Sequence, residues 1–271
     1  MSSNQYTTNH VQLNRAAWNA EAETYQETHY RDLSQPELSW AEGPSREADL
    51  QILGDVSDKR ILELGCGGAQ CSISLTHSGG RCIGLDVSEN QLSCGHRLIR
   101  SLRIEIPLVL GNAEELPFRD KVFDIVFCVF GAVGFVNIFN CFRDVFRVLR
   151  PGGLFAFSWY SPFFNCFPGE GEDQLRVVRS YFDRNPIPGK KTGPDGTPIT
   201  YIEFHYTMGD WYRALTDAGF IVTNIIEPTT YPNEDWEQST WPNAPPHKIA
   251  MIPVAIIWRA RRPRMPLREI L

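Results

Sequence analysis

The chain has 271 residues, 42% of them hydrophobic and 21% charged, so it can bury a sizeable core and is expected to form one domain with embellishments. A formal net charge of -6 argues against a protein that lives on nucleic acid, although Arg259, Arg261, Arg262, Arg264 and Arg268 read as a basic C-terminal tail, either solvated or in contact with another protomer or a phosphate. Seven cysteines without a C-x-x-C pair, a Met1 to His10 segment unlike a leader and no apolar run of about 18 residues argue against disulfides, zinc and a membrane span, and so for a cytoplasmic protein.

Residues from about Asn9 to Tyr30 read as a helix, since Leu13, Ala17 and Ala20 or Glu21 recur at helical spacing with Trp18, Tyr25 and Tyr30 beside them. Pro36 and Gly43-Pro44 interrupt the pattern before a second helical stretch from Arg46 to Leu53. Trp40 sits in that Pro/Gly loop. It reads equally as a cover for a ligand and as a core residue, whereas Trp18 and Tyr25 read first as packing the helix onto a sheet.

The stretch from Arg60 to Asp86 reads as strand, glycine-rich turn (Gly65-Cys66-Gly67-Gly68-Ala69), helix to His77 and second strand. Glycines let the backbone approach a ligand closely, and the helix start that follows offers free N–H groups. Asp86 ends the second strand about 20 residues beyond the turn, where an acid can accept hydrogen bonds from both hydroxyls of a ribose. Ser88 and Gln91 form a capping-box pattern for the next helix, and Ile106 to Leu110 reads as a third strand. Asp124 to Phe130 is apolar after its first residue, which marks a central strand covered on both faces. The following helix carries Phe139, Phe142, Phe146 and Leu149 along one face and is expected to stop at Pro151-Gly152-Gly153, before a fifth strand from Leu154 to Ser158. With right-handed crossovers, every marked loop converges on the C-terminal edge of a parallel sheet.

Glu63-x-Gly-x-Gly, Asp86, Gly111-Asn112-Ala113-Glu114-x-Leu-Pro-Phe, Phe123-Asp124 and Leu149-Arg-Pro-Gly-Gly153, in this order, resemble the class I S-adenosylmethionine-dependent methyltransferases of the bacterial small-molecule type. The motifs cover residues 58–158. The resemblance implies an α/β fold: a Rossmann-like three-layer αβα sandwich with a mostly parallel seven-stranded sheet, its last strand antiparallel between the fifth and sixth. It further implies that Glu63, Gly65, Cys66 and Gly67 hold the methionine part of S-adenosylmethionine, Asp86 the ribose and Val87 the adenine. Asn112, where the family usually has an acid, Ala113 and Glu114 would meet the adenine, and Phe130 and Gly131 the methionine ammonium group. S-adenosylhomocysteine would be the product. An Asn amide accepts a hydrogen bond as an Asp does, without the charge, so weaker binding is implied.

About 50 residues, Trp159 to Met208, separate the fifth strand from the next helix, too many for an ordinary connection. Trp159, Tyr160, Phe163, Phe164 and Phe167, then Tyr181 and Phe182, then Pro/Gly-rich residues 186–198 read as an aromatic wall and a lid, with an oligomer contact as the alternative. His205 stands where related methyltransferases carry a His. It is the candidate for orienting or deprotonating the substrate, and equally for holding the lid closed. Phe220 to Ile226 and Ile252 to Trp258 read as strands six and seven, around an insertion carrying Tyr231, Trp236, Trp241 and His247. The expected organisation is an N-terminal helical cap at 1–57 and a methyltransferase domain at 58–271, with lid insertions at about 159–208 and 228–248.

The expected activity is methyl transfer to an O, N or C nucleophile of a small molecule with an apolar or aromatic part, lined by Trp40, Trp159, Tyr160, Phe164 and His205, without a metal or a membrane and with a homodimer left open. A non-catalytic cofactor-binding subunit is the alternative from another class, and turnover of labelled cofactor separates the two. A nicotinamide dehydrogenase is disfavoured because Gln70 stands where G-x-G-x-x-G wants glycine or alanine. An RNA methyltransferase is disfavoured because Phe130-Gly131-Ala132-Val133 replaces an Asn/Asp-Pro-Pro-Tyr or Phe motif.

Overall fold

A computed structural model describes residues 9–34, 37–41, 45–167, 175–193, 196–229, 248 and 250–265. Ahead of the sheet come α1 (His10–Thr28) and two short helical turns, α2 (Tyr30–Leu33) and α3 (Glu47–Leu50). Then follow β1 (Arg60–Leu64), α4 (Gln70–His77), β2 (Arg81–Asp86), α5 (Glu89–Leu102), β3 (Leu108–Leu110), β4 (Phe123–Val129), α6 (Ile138–Val148) and β5 (Leu149–Tyr160). A hairpin, β6 (Ile187–Thr192) and β7 (Pro198–Glu203), precedes α7 (Met208–Ala218), β8 (Ile221–Ile226) and β9 (Ala255–Arg261). The seven-stranded sheet runs β3-β2-β1-β4-β5-β9-β8, with β9 antiparallel to both neighbours and the other pairings parallel. This is the Rossmann-like sandwich that the sequence implies, the antiparallel strand included.

Alternation along the central strands explains the three layers. Leu62, Leu64, Val126, Cys128, Phe155 and Phe157 turn to one face, where Phe142 and Val145 of α6 and Trp211 and Leu215 of α7 cover them. Ile61, Ile125, Phe127, Leu154 and Ala156 turn to the other, under Ile73 and Leu75 of α4 and Ile99 of α5. Each such fully buried Phe, Leu or Ile stabilises the fold by roughly 1.5–3 kcal/mol against leaving it exposed, an upper figure because the unfolded chain is not fully extended.

Several expected boundaries move. The buried face of α6 is Ile138, Cys141, Phe142, Val145 and Val148, with Phe139 and Phe146 only partly covered, and Leu149 is already strand, paired with Phe123. Pro151-Gly152-Gly153 is therefore an irregularity inside β5 rather than a stop before it: the register shifts between Phe123 and Ile125, and Gly152 takes φ +83°, a left-handed value that glycine adopts without a Cβ clash. The last strand lies three residues later than expected, which overturns the reading of a basic tail. Arg259 pairs with Ala156 in the sheet and donates to the Ile52 carbonyl at 2.8 Å, while Arg261 pairs with Leu154. Arg262 donates to the Phe146 and Leu149 carbonyls at 2.5 and 2.8 Å, where the C-terminal end of α6 has unsatisfied acceptors. Arg268, and Tyr231, Trp236, Trp241 and His247 of the second insertion, lie outside the described residues.

The Pro/Gly-rich residues 186–198, expected to be part of a lid, hold β6 and lead into β7, paired from Ile187↔Glu203 to Thr192↔Pro198. One buried side chain of α1 ties the end of the hairpin down. Asn14 Nδ2 donates to the carbonyls of Ile202 at 3.0 Å and Phe135 at 3.1 Å, and its Oδ1 accepts from the Ile202 N–H at 2.7 Å. The Phe204 N–H then donates to the Gly134 carbonyl at 2.8 Å, tying the end of the hairpin to the loop that follows β4. Among the described residues no helix is long and apolar enough to cross a membrane.

Candidate active site

The β1 turn presses against the β4 turn so closely that a Cβ at Gly65 would collide with the Ala132 amide, and Gly65 has φ +67°. The Gly67 N–H donates to Asp86 Oδ2 at 2.8 Å and the Ser88 N–H to Oδ1 at 2.8 Å. The carboxylate thus joins the turn to the end of β2, and each oxygen keeps a further lone pair for a ligand. Burial pushes the Asp86 acid up, against the hydrogen bonds from Ser88 and Gly67. One position before the end of β1, Glu63 accepts from the Ser72 N–H at 2.9 Å and hydroxyl at 2.5 Å, and burial carries its pKa up to about 8. Phe130, at the end of β4, takes φ +46°, a strained value for an aromatic residue, at the place where the chain bends around the turn.

These residues open onto one cavity of about 850 Å³ at the C-terminal edge of the parallel strands. Glu63, Gly65, Cys66, Gly67, Asp86, Val87, Asn112, Ala113, Phe130 and Gly131 all line it. Glu114 does not. Its Oε1 meets His10 Nε2 at 2.5 Å and accepts from the Asn137 N–H at 2.9 Å, and its Oε2 accepts from Asn140 at 3.2 Å. Burial alone would raise the Glu114 acid, but these hydrogen bonds outweigh it and hold it below its usual range. Glu114 therefore fixes the start of α1 to the start of α6 rather than meeting a ligand.

The opposite walls are aromatic. Trp159 and Tyr160 from β5 line the cavity with Phe135, and Trp18 and Tyr25 of α1 meet it from above in a T-shaped pair 5.4 Å apart. A Cβ at Gly134 would run into the Trp159 indole, so the absence of a side chain there lets the ring lie flat against the loop. The hairpin adds Tyr201, whose ring is 6.0 Å from Phe135, and Lys191, which is 3.8 Å above the Trp18 ring and ion-paired with Glu21 of α1. Burial draws the Lys191 ammonium down to about 8, an effect the adjacent Glu21 opposes. Glu203 also lines the cavity, and burial raises its pKa to about 7.

Three residues expected at the substrate are elsewhere. Trp40 is fully buried on the far side of the sheet, edge-on to Phe127, with its indole N–H donating to Glu47 at 2.7 Å; a satisfied indole in the core explains the loop better than a ligand cover. Phe164 stands behind the wall, stacked on Tyr160 at 6.4 Å. His205 is 2% exposed and does not line the cavity, because β7 ends at Glu203 and the chain turns to meet Gly134. Its Nε2 donates to the Tyr181 carbonyl at 3.1 Å, and burial lowers its pKa. Lys191, Tyr201 and Glu203 were not singled out by the sequence reading. Their one signal is alternation, Tyr201 and Glu203 falling on one side of a strand that faces the cavity.

The cavity fits a nucleotide-like molecule with an amino-acid tail. Asp86 stands at the turn, and two buried donors among the cavity's lining residues, Gln91 Nε2 and Trp159 Nε1, have no hydrogen-bond partner among the described residues. Gln91 Oε1 accepts from Gln26, and Gln26 in turn accepts from Gln70, so an amide chain closes over the glycine turn.

Residues 62–157 match the family described as a methyltransferase domain. A demethylmenaquinone methyltransferase from Bacillus cereus is 34% identical over 112 residues, 40% of this chain and 47% of that protein, so the chain spans about half the length of the curated relatives it matches. An S-adenosylmethionine-dependent methyltransferase structure from Listeria monocytogenes superimposes with a TM-score of 0.62 at 20% identity, over 80% of this chain and 97% of the other. The cyclase SpnF superimposes equally well, with a TM-score of 0.62 at 16% identity over 92% and 95% of the two chains, so the architecture by itself admits more than one chemistry.

Proposed function

We propose that this chain, which has the class I S-adenosylmethionine-dependent methyltransferase fold and matches its domain signature at residues 62–157, transfers a methyl group from S-adenosylmethionine to a nucleophile on a small aromatic molecule. The observation that carries this reading is a single cavity whose one end is a glycine turn clamped to Asp86 and whose other end is walled by Trp18, Phe135, Trp159, Tyr160 and Tyr201. S-adenosylmethionine supplies an activated methyl group on a good leaving group, so the protein's task is alignment and exclusion of water. Asp86 is suited to accept from the ribose hydroxyls, and Asn112 and Ala113 to border the adenine. The aromatic walls give flat, apolar surface for the acceptor, and the hairpin on α1 shields it from solvent. The name of the Bacillus cereus relative, a demethylmenaquinone methyltransferase, agrees with an aromatic acceptor.

Calorimetry with S-adenosylhomocysteine tests the cofactor end. Asp86→Ala should weaken binding by about 2–3 kcal/mol, a factor of roughly 30 to 150, through lost charge-assisted hydrogen bonds. Asp86→Asn, which keeps the side chain's length, should fall between the two. Equal affinity in all three proteins would remove Asp86 from the site. Transfer of a labelled methyl group to a panel of aromatic acceptors distinguishes an enzyme from a cofactor-binding subunit.

A further inference from the structure

We propose that Glu203 is the residue that takes the proton from the acceptor, and therefore that the acceptor presents a hydroxyl or N–H carried on an aromatic ring. This rests on the methyl-transfer reading above and adds to it a base and a substrate class.

The placement of Glu203 is fixed on both sides. The preceding residue, Ile202, is held through both its N–H and its carbonyl by Asn14 of α1, and the following residue, Phe204, donates to Gly134. Gly134 closes the short turn that begins at Gly131, and Gly131 and Ala132 are the atoms against which the Gly65 turn is packed. Glu203 is thus held on the wall of the cavity, between the contact to Asn14 and the contact to Gly134. Tyr201, two residues earlier, lines the same cavity and lies against Phe135, which is itself 5.2 Å from Trp159. A general base needs this kind of fixed position beside the reacting atoms before its acidity matters.

Of the five other acids that line the cavity, Asp49 of α3 is exposed to solvent and the remaining four are committed. Both oxygens of Asp86 accept backbone N–H groups, Glu63 is bound to Ser72 beneath the turn, and Glu21 is paired with Lys191. Glu37 is ion-paired with Arg46. Glu203 receives no hydrogen bond among the described residues, although burial removes most of its water. The groups around it do not supply a full counter-charge: Lys191 across the hairpin is held by Glu21, His10 on α1 is held by Glu114, Tyr201 on its own strand carries no positive charge, and Arg179 lowers the acid by less than burial raises it. A carboxylate kept partly desolvated without a partner costs stability, and such groups gather at sites that use them. Burial also leaves the acid near neutrality, where it can both take and release a proton.

In the step this implies, a lone pair of the acceptor oxygen or nitrogen forms the bond to the methyl carbon. The methyl–sulfur bond breaks with its electrons left on sulfur, as a neutral thioether, and the acceptor's proton passes to a Glu203 oxygen. Glu203 returns that proton to water when the product leaves. No oxidant or metal enters the balance.

The test uses the full chain with methyl-labelled S-adenosylmethionine and a panel of phenols, naphthols and anilines beside acceptors without a proton on the nucleophile, such as pyridines and thioethers. The protic acceptors should be methylated, with kcat/KM rising to a plateau through a pKa near neutrality. Glu203→Gln should lower kcat/KM by about 100-fold or more, abolish that limb and leave S-adenosylhomocysteine affinity unchanged, and Glu203→Asp should restore part of the rate. As a readout without turnover, the infrared spectrum of the product-loaded protein should show a carboxyl band that titrates near neutrality and is missing in Glu203→Gln. An unchanged pH profile in Glu203→Gln, loss of the limb instead in His29→Gln, which changes a histidine that also lines the cavity, or methylation confined to the aprotic acceptors would overturn the role of Glu203 while leaving methyl transfer standing. Binding of S-adenosylhomocysteine with no acceptor methylated would overturn the transfer reading and the base with it.

Discussion

Asn14 offers the sharpest test of how the cavity is roofed. Its amide makes three hydrogen bonds, to the Ile202 N–H, the Ile202 carbonyl and the Phe135 carbonyl, and the residue is 3% exposed. Asn14→Ala leaves those three backbone groups without their partner. Were the site sealed, each orphaned group would cost about 1–3 kcal/mol. Ile202 and Phe135 are only half-buried, so water reaches part of the gap and about 1 kcal/mol per bond, roughly 3 kcal/mol in all, is the expected loss in urea denaturation. The loss should be local as well: amide exchange in residues 187–203 should accelerate far more than in β1 or β4, and methyl transfer should fall more than S-adenosylhomocysteine affinity. Asn14→Asp is the informative companion. It keeps the acceptor for the Ile202 N–H but sets a carboxylate against two carbonyls, so it should be worse than Ala at neutral pH and recover as the acid is protonated. A loss below about 0.5 kcal/mol with unchanged exchange in the hairpin would refute the idea that this amide holds the roof.

The Glu114 cluster makes a pH prediction. Its folded pKa lies below the unfolded value, so the stability it contributes is present above the unfolded pKa of about 4.5 and is lost as pH falls through the folded one. Glu114→Gln should therefore be less stable than the parent at pH 6, by a margin that shrinks as the pH is taken below about 4.5, as read by denaturant midpoints. Gly65→Ala should abolish S-adenosylhomocysteine binding and lower the melting temperature, because its Cβ meets backbone rather than a movable side chain; a crystal structure of a stable, cofactor-binding Gly65→Ala protein would refute that account.

The sheet was legible because its signals are local. A covered parallel strand has to be apolar on both faces, and Ile125 to Val129 is, as is Ile61 to Leu64 apart from Glu63. The glycine turn and Asp86 were legible for the same reason, since backbone approach and a strand-end carboxylate leave marks within about 25 residues of one another. What was not legible depends on partners far away in the chain. Trp40 looks like a loop residue until Glu47 satisfies its indole and Phe127 receives its ring. Arg259 and Arg261 look like a tail until β5 and β8 pair with them on either side. The β6 and β7 strands contain Pro188, Gly189, two lysines and Pro198, a composition that reads as loop, and only α1 beneath them makes the alternation meaningful. His205 and Glu203 lie two residues apart, and which of them reaches the cavity was decided by where the strand ends.

The bond between Asn14 and Ile202 joins positions 188 residues apart, so part of the aromatic end of the cavity is assembled from segments that flank the glycine-turn end on both sides in sequence. Drift or replacement in α1 and the hairpin can change which molecule fits while the turn, Asp86 and the central strands stay as they are. The family match, from residue 62 to residue 157, takes in the turn, Asp86 and Phe135 and stops just short of Trp159 and Tyr160.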